Sequence, residues 1–295
     1  MKTNTAVFLF VLSLVLVSSV AALGFTYAFS PVDVPNSRLT SAAGINAWGA
    51  IVGRYVNPGG SHGYVFSRGQ FTTLDFPGSS ATTARGINDR GDIVGHYFTG
   101  GLPPQHAFLD RNGTFSTIDF PQDFDRSIVN GINNAGDVVG TFRDASDIFH
   151  GFLLRQGTYT KFDYPGAEGM GGVIFSPSSN GPAINDVGDI VGTYFGTDDV
   201  EHAFLLRNGQ FTNIDFPGSV SSAAHGINAW GVIAGSYTDS SEVSHGFILR
   251  QGVYTTVDFP GALPIIAGIN AINAIVGDYL DCSGHRHGYQ GVPRR

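Results

Sequence analysis

The chain has 295 residues, 42% of them apolar, enough for a continuous core without covalent staples. Its 24 acidic side chains outnumber 16 basic ones, for a net charge of −8; such a balance offers no phosphate-tracking stripe and excludes nucleic acid as an expected partner. The single cysteine, Cys282, permits no internal disulfide, and no Cys/His cluster has zinc-site spacing, so no metal site is expected.

Met1-Lys2 opens the chain, followed by an apolar run from Ala6 to Ala22 broken only by Ser13, Ser18 and Ser19. A basic start, a short greasy core and the small residues Val20-Ala21-Ala22 read as a secretory signal over residues 1–22, cut near Leu23. The run is short for a membrane span, and no later segment approaches one. The expected location is therefore extracellular or periplasmic, with no membrane contact beyond the signal.

Residues 25–290 read as one domain of six repeats. Ile-Asn recurs with its asparagine at Asn46, Asn88, Asn133, Asn185, Asn228 and Asn270, spaced 42, 45, 52, 43 and 42 residues apart. A period near 42 with several short strands per unit predicts a propeller. In the second repeat, strands are expected over Arg85–Asn88, Asp92–Tyr97, His106–Asp110 and Thr114–Phe120. Asn88-Asp89-Arg90-Gly91 reads as a tight turn with glycine at a positive φ, a place Asn273 takes in the sixth repeat. Asn112-Gly113 is a strong hairpin signal. Gly53, Gly95, Gly140, Gly192, Gly235 and Gly277 recur in the second strand, where close backbone approach is expected. Four strands per unit give an all-β, six-bladed β-propeller with four-stranded blades. The last repeat lacks a fourth strand, and Phe29 to Pro35 aligns with Phe71 to Pro77. The N-terminal strand is expected to complete the last blade and close the ring, removing an open edge.

A histidine before a small residue and an aromatic recurs in each repeat, and Asp-(aromatic)-Pro recurs 13 residues later. A two-residue turn sets His62 opposite Asp75, and likewise His106 opposite Asp119, His150 opposite Asp163, His202 opposite Asp215 and His245 opposite Asp258. Ring closure pairs His287 with Asp33. Cross-strand neighbours lie about 5 Å apart at Cβ, close enough for an imidazole–carboxylate bond. These pairs are read as structural rivets, not as metal ligands.

Function is sought where the copies differ. The tight turns are uniform, so the opposite face, with its variable loops, is the expected working surface. There the link from Pro165 to Ala183, containing Phe175-Ser176-Pro177, exceeds its counterparts by about nine residues by direct alignment. Later loops are acidic, with Asp144 and Asp147, Asp198, Asp199 and Glu201, Asp239 and Glu242, and Asp281. Oxygen ligands suit Ca²⁺, but no calcium-loop pattern is present; solvated charge is expected, with no cofactor. The residues after Val-Gly and before Gly/Ala-Ile-Asn vary from copy to copy. They place Arg54, Arg85, His96, Asn130, His225 and Asp278 around one channel mouth, as candidates to contact a small acidic or sugar-like ligand.

The chain resembles the HAF family of bacterial extracellular repeat proteins, through His106-Ala107-Phe108 and His202-Ala203-Phe204 together with the Gly-Ile-Asn and Val-Gly marks. The likeness covers about Phe29 to Tyr289. Four copies carry glycine for alanine, with tyrosine for phenylalanine in the first and sixth. The resemblance implies export and a repeat fold, and no catalytic residues. No nucleophile elbow, phosphate loop or zinc helix is readable. The leading expectation is a secreted, non-catalytic binding module for a glycan, polymer or surface partner. The alternatives are a hydrolase or lyase at the channel mouth, with His96 or His225 as base and Arg54 or Arg85 on an anion, and a purely structural exported repeat protein.

Overall fold

The computed structural model describes residues 26–100, 104–171, 181–259 and 264–294. The predicted signal over residues 1–22 and positions 172–180 of the long link lie outside the described residues. The chain folds as an all-β propeller. The second repeat takes the expected order, with strands Ala81–Ile87, Ile93–Phe98, Gln105–Arg111 and Thr114–Thr117 paired in sequence. The hairpin turns reach positive φ as predicted, with Asn112 at 51° and Gly113 at 81°, and Asn273 sits at 62° where other turns use glycine. Gly63 pairs with Leu74, the register expected from the two-residue turn.

The N-terminal strand Thr26–Pro31 lies beside Arg286–Arg294, from Thr26 opposite Arg294 to Pro31 opposite Tyr289. The last strand thus continues well past Tyr289, where the sequence pattern stops. Two features depart from a plain set of four-stranded sheets. The strands of repeats one and two join in one eight-stranded sheet, through a single parallel pair, Ser61 with Ala81. In the fourth repeat the extra residues do not lengthen a link between units. They interrupt the inner strand, because Gly169–Met170 and Ala183–Ile184 both pair with Ile190–Phe195.

Packing lies between repeats. Val52 of the first repeat packs with Ala84, Ile87, Tyr97 and Phe108 of the second; Val94 joins Val129, Ile132 and Phe152 of the third. The series ends with Ala274 and Val276 of the sixth repeat against Ala42, Ile45 and Tyr64 of the first. Each fully buried Val or Ile contributes about 1.5–3 kcal/mol, so no repeat owns a core of its own. The Asp-(aromatic)-Pro aromatic is part of this joint. Phe76 stacks on Tyr97 of the next repeat at 3.7 Å, Phe120 on Phe142 at 3.8 Å and Phe216 on Tyr237 at 3.7 Å.

The repeated asparagines do more than turn the chain. Asn46 Oδ1 accepts from the amides of Trp48 and Ala50, which fixes its own turn. Its Nδ2 donates to the carbonyl of Asn88, which donates to that of Asn133, and so on through Asn185, Asn228 and Asn270. Asn270 donates back to the Asn46 carbonyl, 224 residues away, and completes a circle. Together with these asparagines, Ile45, Ile87, Ile132, Ile184, Ile227 and Ile269 line one pocket.

Candidate functional site

Most inner strands skip one residue in their ladder. Ala42/Gly44, Ala84/Gly86, Val129/Gly131, Ala224/Gly226 and Ile266/Gly268 each bracket a register shift. The skipped residues are Ala43, Arg85, Asn130, His225 and Ala267. A bulge turns its extra residue out of the ladder, so these positions lie deep in the inner strand, close to the asparagine circle. The expected place, at the strand's entry near the mouth, is corrected accordingly. The glycine after the bulge lets adjacent inner strands touch. A Cβ on Gly44 would stand 2.6 Å from the Arg85 carbonyl oxygen, and one on Gly86 2.7 Å from that of Asn130.

Arg54, His96 and Asp278 follow the second-strand glycines. A Cβ on Gly53, Gly95 or Gly277 would lie 2.0, 2.0 or 1.8 Å from the carbonyl oxygens of Ser41, Thr83 and Ile265, the close approach expected from sequence. Asp278 is 2% exposed and accepts from Arg286. Burial raises the Asp278 carboxyl above its ordinary range, although Arg286, Arg85 and Arg54 all pull it down. Burial likewise lowers Arg85 to about 10, helped by the like charge of Arg54. Arg54 is lowered by burial and then by Arg286. His96, 6% exposed, is driven well below the usual imidazole range by burial and by Arg85, Arg54 and Arg126, so its ring is neutral at pH 7.

Four of the six candidates, Arg54, Arg85, His96 and Asp278, therefore form one electrostatic cluster. Asn130 and His225 make other contacts. A Cβ on Gly181 would lie 2.4 Å from Asn130 Oδ1, so that amide meets the return of the long insertion. His225 Nε2 is 2.9 Å from Ser236 Oγ. Two members escaped the sequence reading. Arg286 precedes the last repeated histidine, where other repeats carry Ser61, Gln105, Phe149, Glu201 and Ser244; a lone cation in that column was the available signal. Arg126 is 7% exposed beside the third inner strand, and its Nε and Nη1 have no hydrogen-bond partner among the described residues. His96 Nδ1 is in the same condition.

The histidine–aspartate pairs form as the register requires. Nδ1–carboxylate distances are 2.8 Å for His62–Asp75, 2.7 Å for His106–Asp119, 2.9 Å for His150–Asp163, 2.7 Å for His202–Asp215, 3.0 Å for His245–Asp258 and 3.0 Å for His287–Asp33. In four repeats the other ring nitrogen meets an acidic-loop residue, Asp144, Asp198, Asp239 or Asp281. These loop carboxylates also accept backbone amides of their own turns, which holds them below the usual carboxylate range. The loops expected to carry solvated charge spend part of it on the histidines. Among the described residues no three His, Cys, Asp or Glu side chains gather as a metal site.

No protein-family model matches the chain, and no curated protein matches it. Solved structures do. A fucose-recognising lectin from Aleuria aurantia, a six-bladed propeller, is 12% identical over 88% of this chain and 93% of that one, with a TM-score of 0.54. A gluconolactonase from Xanthomonas campestris is 11% identical over 91% and 90%, at 0.53. TolB from Acinetobacter baumannii is 12% identical over 88% of this chain and 65% of its own length, at 0.54. At such identities the likeness establishes the propeller fold and nothing about activity.

Proposed function

We propose that the chain is a secreted, six-bladed propeller acting as a non-catalytic binding module, with a small carboxylate-bearing ligand such as an acidic sugar held at the buried basic cluster. The blade count is supported by the circle of six asparagines and by the eight-stranded sheet dividing at one parallel pair. Secretion is supported by the signal-like start. The observation that carries the binding reading is the charge imbalance: the guanidiniums of Arg54, Arg85 and Arg286 act on the single carboxylate of Asp278. An anion entering beside these cations would also meet the buried donors of Arg126, where an unmet hydrogen bond costs about 1–3 kcal/mol. Arg126 and His96 add buried nitrogens without hydrogen-bond partners among the described residues. The lectin's recognition of fucose on the same fold is compatible with a sugar as ligand.

Calorimetric titration with glucuronate, galacturonate and glucose at low salt tests this reading. Binding of an acidic sugar, absent for glucose and lost in Arg54→Ala, is the expected result; equal binding of glucose, or no effect of the substitution, overturns it. A second reading, a hydrolase, is favoured by the His225–Ser236 contact at 2.9 Å, a base beside a hydroxyl. Turnover of a model ester or lactone that disappears in Ser236→Ala would establish it.

A further inference from the structure

The tight-turn face is uniform in backbone but divided in chemistry. In repeats two, three and four its turns are polar and tied together. Asn134 Nδ2 donates to both Asp89 and Asp186, at 2.8 and 2.9 Å. Arg90 bonds Asp92, Arg155 bonds Asp137 and Arg207 bonds Asp189. In repeats five, six and one the corresponding segments read Asn228-Ala229-Trp230-Gly231-Val232, Asn270-Ala271-Ile272-Asn273-Ala274 and Asn46-Ala47-Trp48-Gly49-Ala50, with no charge in any of them. The asparagine circle makes these three turns consecutive. The inner turns of half the face therefore form an uncharged crescent, with Arg68 and Arg250 on the neighbouring hairpin turns.

Its large apolar side chains are displayed, not packed. Trp48 is 80% exposed, Trp230 77% and Ile272 62%. Each indole is nevertheless fixed. Trp48 Nε1 donates to the Asp89 carbonyl at 3.1 Å and Trp230 Nε1 to the Ala271 carbonyl at 3.0 Å, each reaching the next turn around the ring. The pin needs only the ring N–H. It leaves the ring mostly in water, where it contributes little to folding, and large apolar side chains displayed on one face are a mark of an interaction site. A rigid indole also loses little entropy when something covers it.

We infer that the crescent of Trp230, Ile272 and Trp48 is a docking surface for a neutral polysaccharide, whose pyranose C–H faces lie on the two pinned indoles. Charge argues for this occupant. The crescent turns carry no acid or base, and the cations of the other half are paired with Asp92, Asp137 and Asp189. Beside Trp48 a groove is lined by Asn46, Ser67, Arg68, Asp89 and Arg90, which supply amide, hydroxyl, carboxylate and guanidinium hydrogen-bonding groups for sugar hydroxyls. Asp89 lines this groove with those arginines, so a polyanion meets mixed charge there and not a row of cations. This surface is separate from the buried cluster, and the inference does not depend on what that cluster binds.

The test is retention of the mature chain on insoluble cellulose and chitin, at low salt and at high salt, with alginate and pectate gels as anionic comparisons. Wild type is expected to be retained on a neutral polymer with little response to salt. Trp48→Ala and Trp230→Ala should each weaken retention about tenfold, the effect of losing one well-placed aromatic contact, and the double variant should abolish it. Trp48→Tyr, which keeps a ring face, should recover part of the loss; Arg54→Ala should leave retention unchanged, which separates this surface from the cluster. Thermal unfolding of each variant identifies any that fails to fold, and the Tyr variant then carries the test. Unchanged retention in the folded double variant overturns the inference, as does retention only on anionic gels that high salt abolishes, or no retention on any neutral polymer. Light scattering adds a further overturning outcome: a wild-type dimer that the tryptophan substitutions dissociate would make the occupant a second copy.

Discussion

The two faces of the ring solve opposite problems. On the loop face, repeats differ in sequence, yet their histidines and acids are largely spent on one another, as with His202 held by both Asp215 and Asp198. On the turn face the backbone hardly changes from repeat to repeat, because each asparagine fixes its turn in the same way. There the outward side chains carry the difference, with Trp48 and Trp230 in one half and Asp89, Asn134 and Asp186 in the other. Variation in backbone length and variation in exposed chemistry thus point to different faces. A search for function that follows loop length alone examines only one of the two surfaces.

The comparison can be broken most forcefully at the asparagine circle. Asn133 Nδ2 donates to the Asn185 carbonyl and to Asp137, and its Oδ1 accepts the Asp137 amide. Asn133→Ala strands buried partners in two repeats and should cost about 3 kcal/mol in denaturant unfolding, at roughly 1 kcal/mol or more per orphaned group. A loss below that of a loop-face pair would mean that the turn face does not hold the ring. The loop-face counterpart is His106→Ala, which removes the 2.7 Å bond to Asp119. Asp119 keeps the Ala107 amide, so about 1–2 kcal/mol is expected.

Smaller effects separate the faces by pH. Burial lowers His202, His245 and His287, but their paired carboxylates outweigh it and raise all three. A raised histidine stabilises the fold fully below its unfolded value near 6.5 and loses that contribution as pH rises through its folded value. Glu201, also on the loop face, is pushed up to about 7 by burial. Its neutral form is the favoured one, so stability is lost as pH rises from about 4.5 to about 7. The thermal midpoint should therefore fall in two stages on going from pH 4 to pH 9. Glu201→Gln should flatten the first stage, and replacing the three histidines with glutamine should flatten the second. A profile unaffected by either change would place the pH dependence elsewhere.

The repeat, the hairpin turns and the His–Asp register were legible in the sequence because each is local: a period, a two-residue turn and a fixed pairing sum. The asparagine circle was not legible, since its bonds join residues 42 or more apart, and an asparagine in a turn already has a local reason to be there. The deep position of Arg85 was missed because a bulge leaves no mark in an alternating pattern. Arg286 was missed because it joins Asp278 only after the third strand folds back on the second. The extra residues of the fourth repeat read as a longer link because sequence spacing cannot say on which side of Met170 an insertion leaves the sheet.

The pairing of Thr26–Pro31 with Arg286–Arg294 has a kinetic consequence. The final sheet cannot form until segments separated by nearly the whole described chain have met, and contacts of such separation are slow to find each other. Until then two strand edges stay open to unwanted partners. Once they have joined, opening the ring means stripping a full ladder at once, so refolding should be slow, prone to aggregation at high protein concentration, and followed by a long-lived native state.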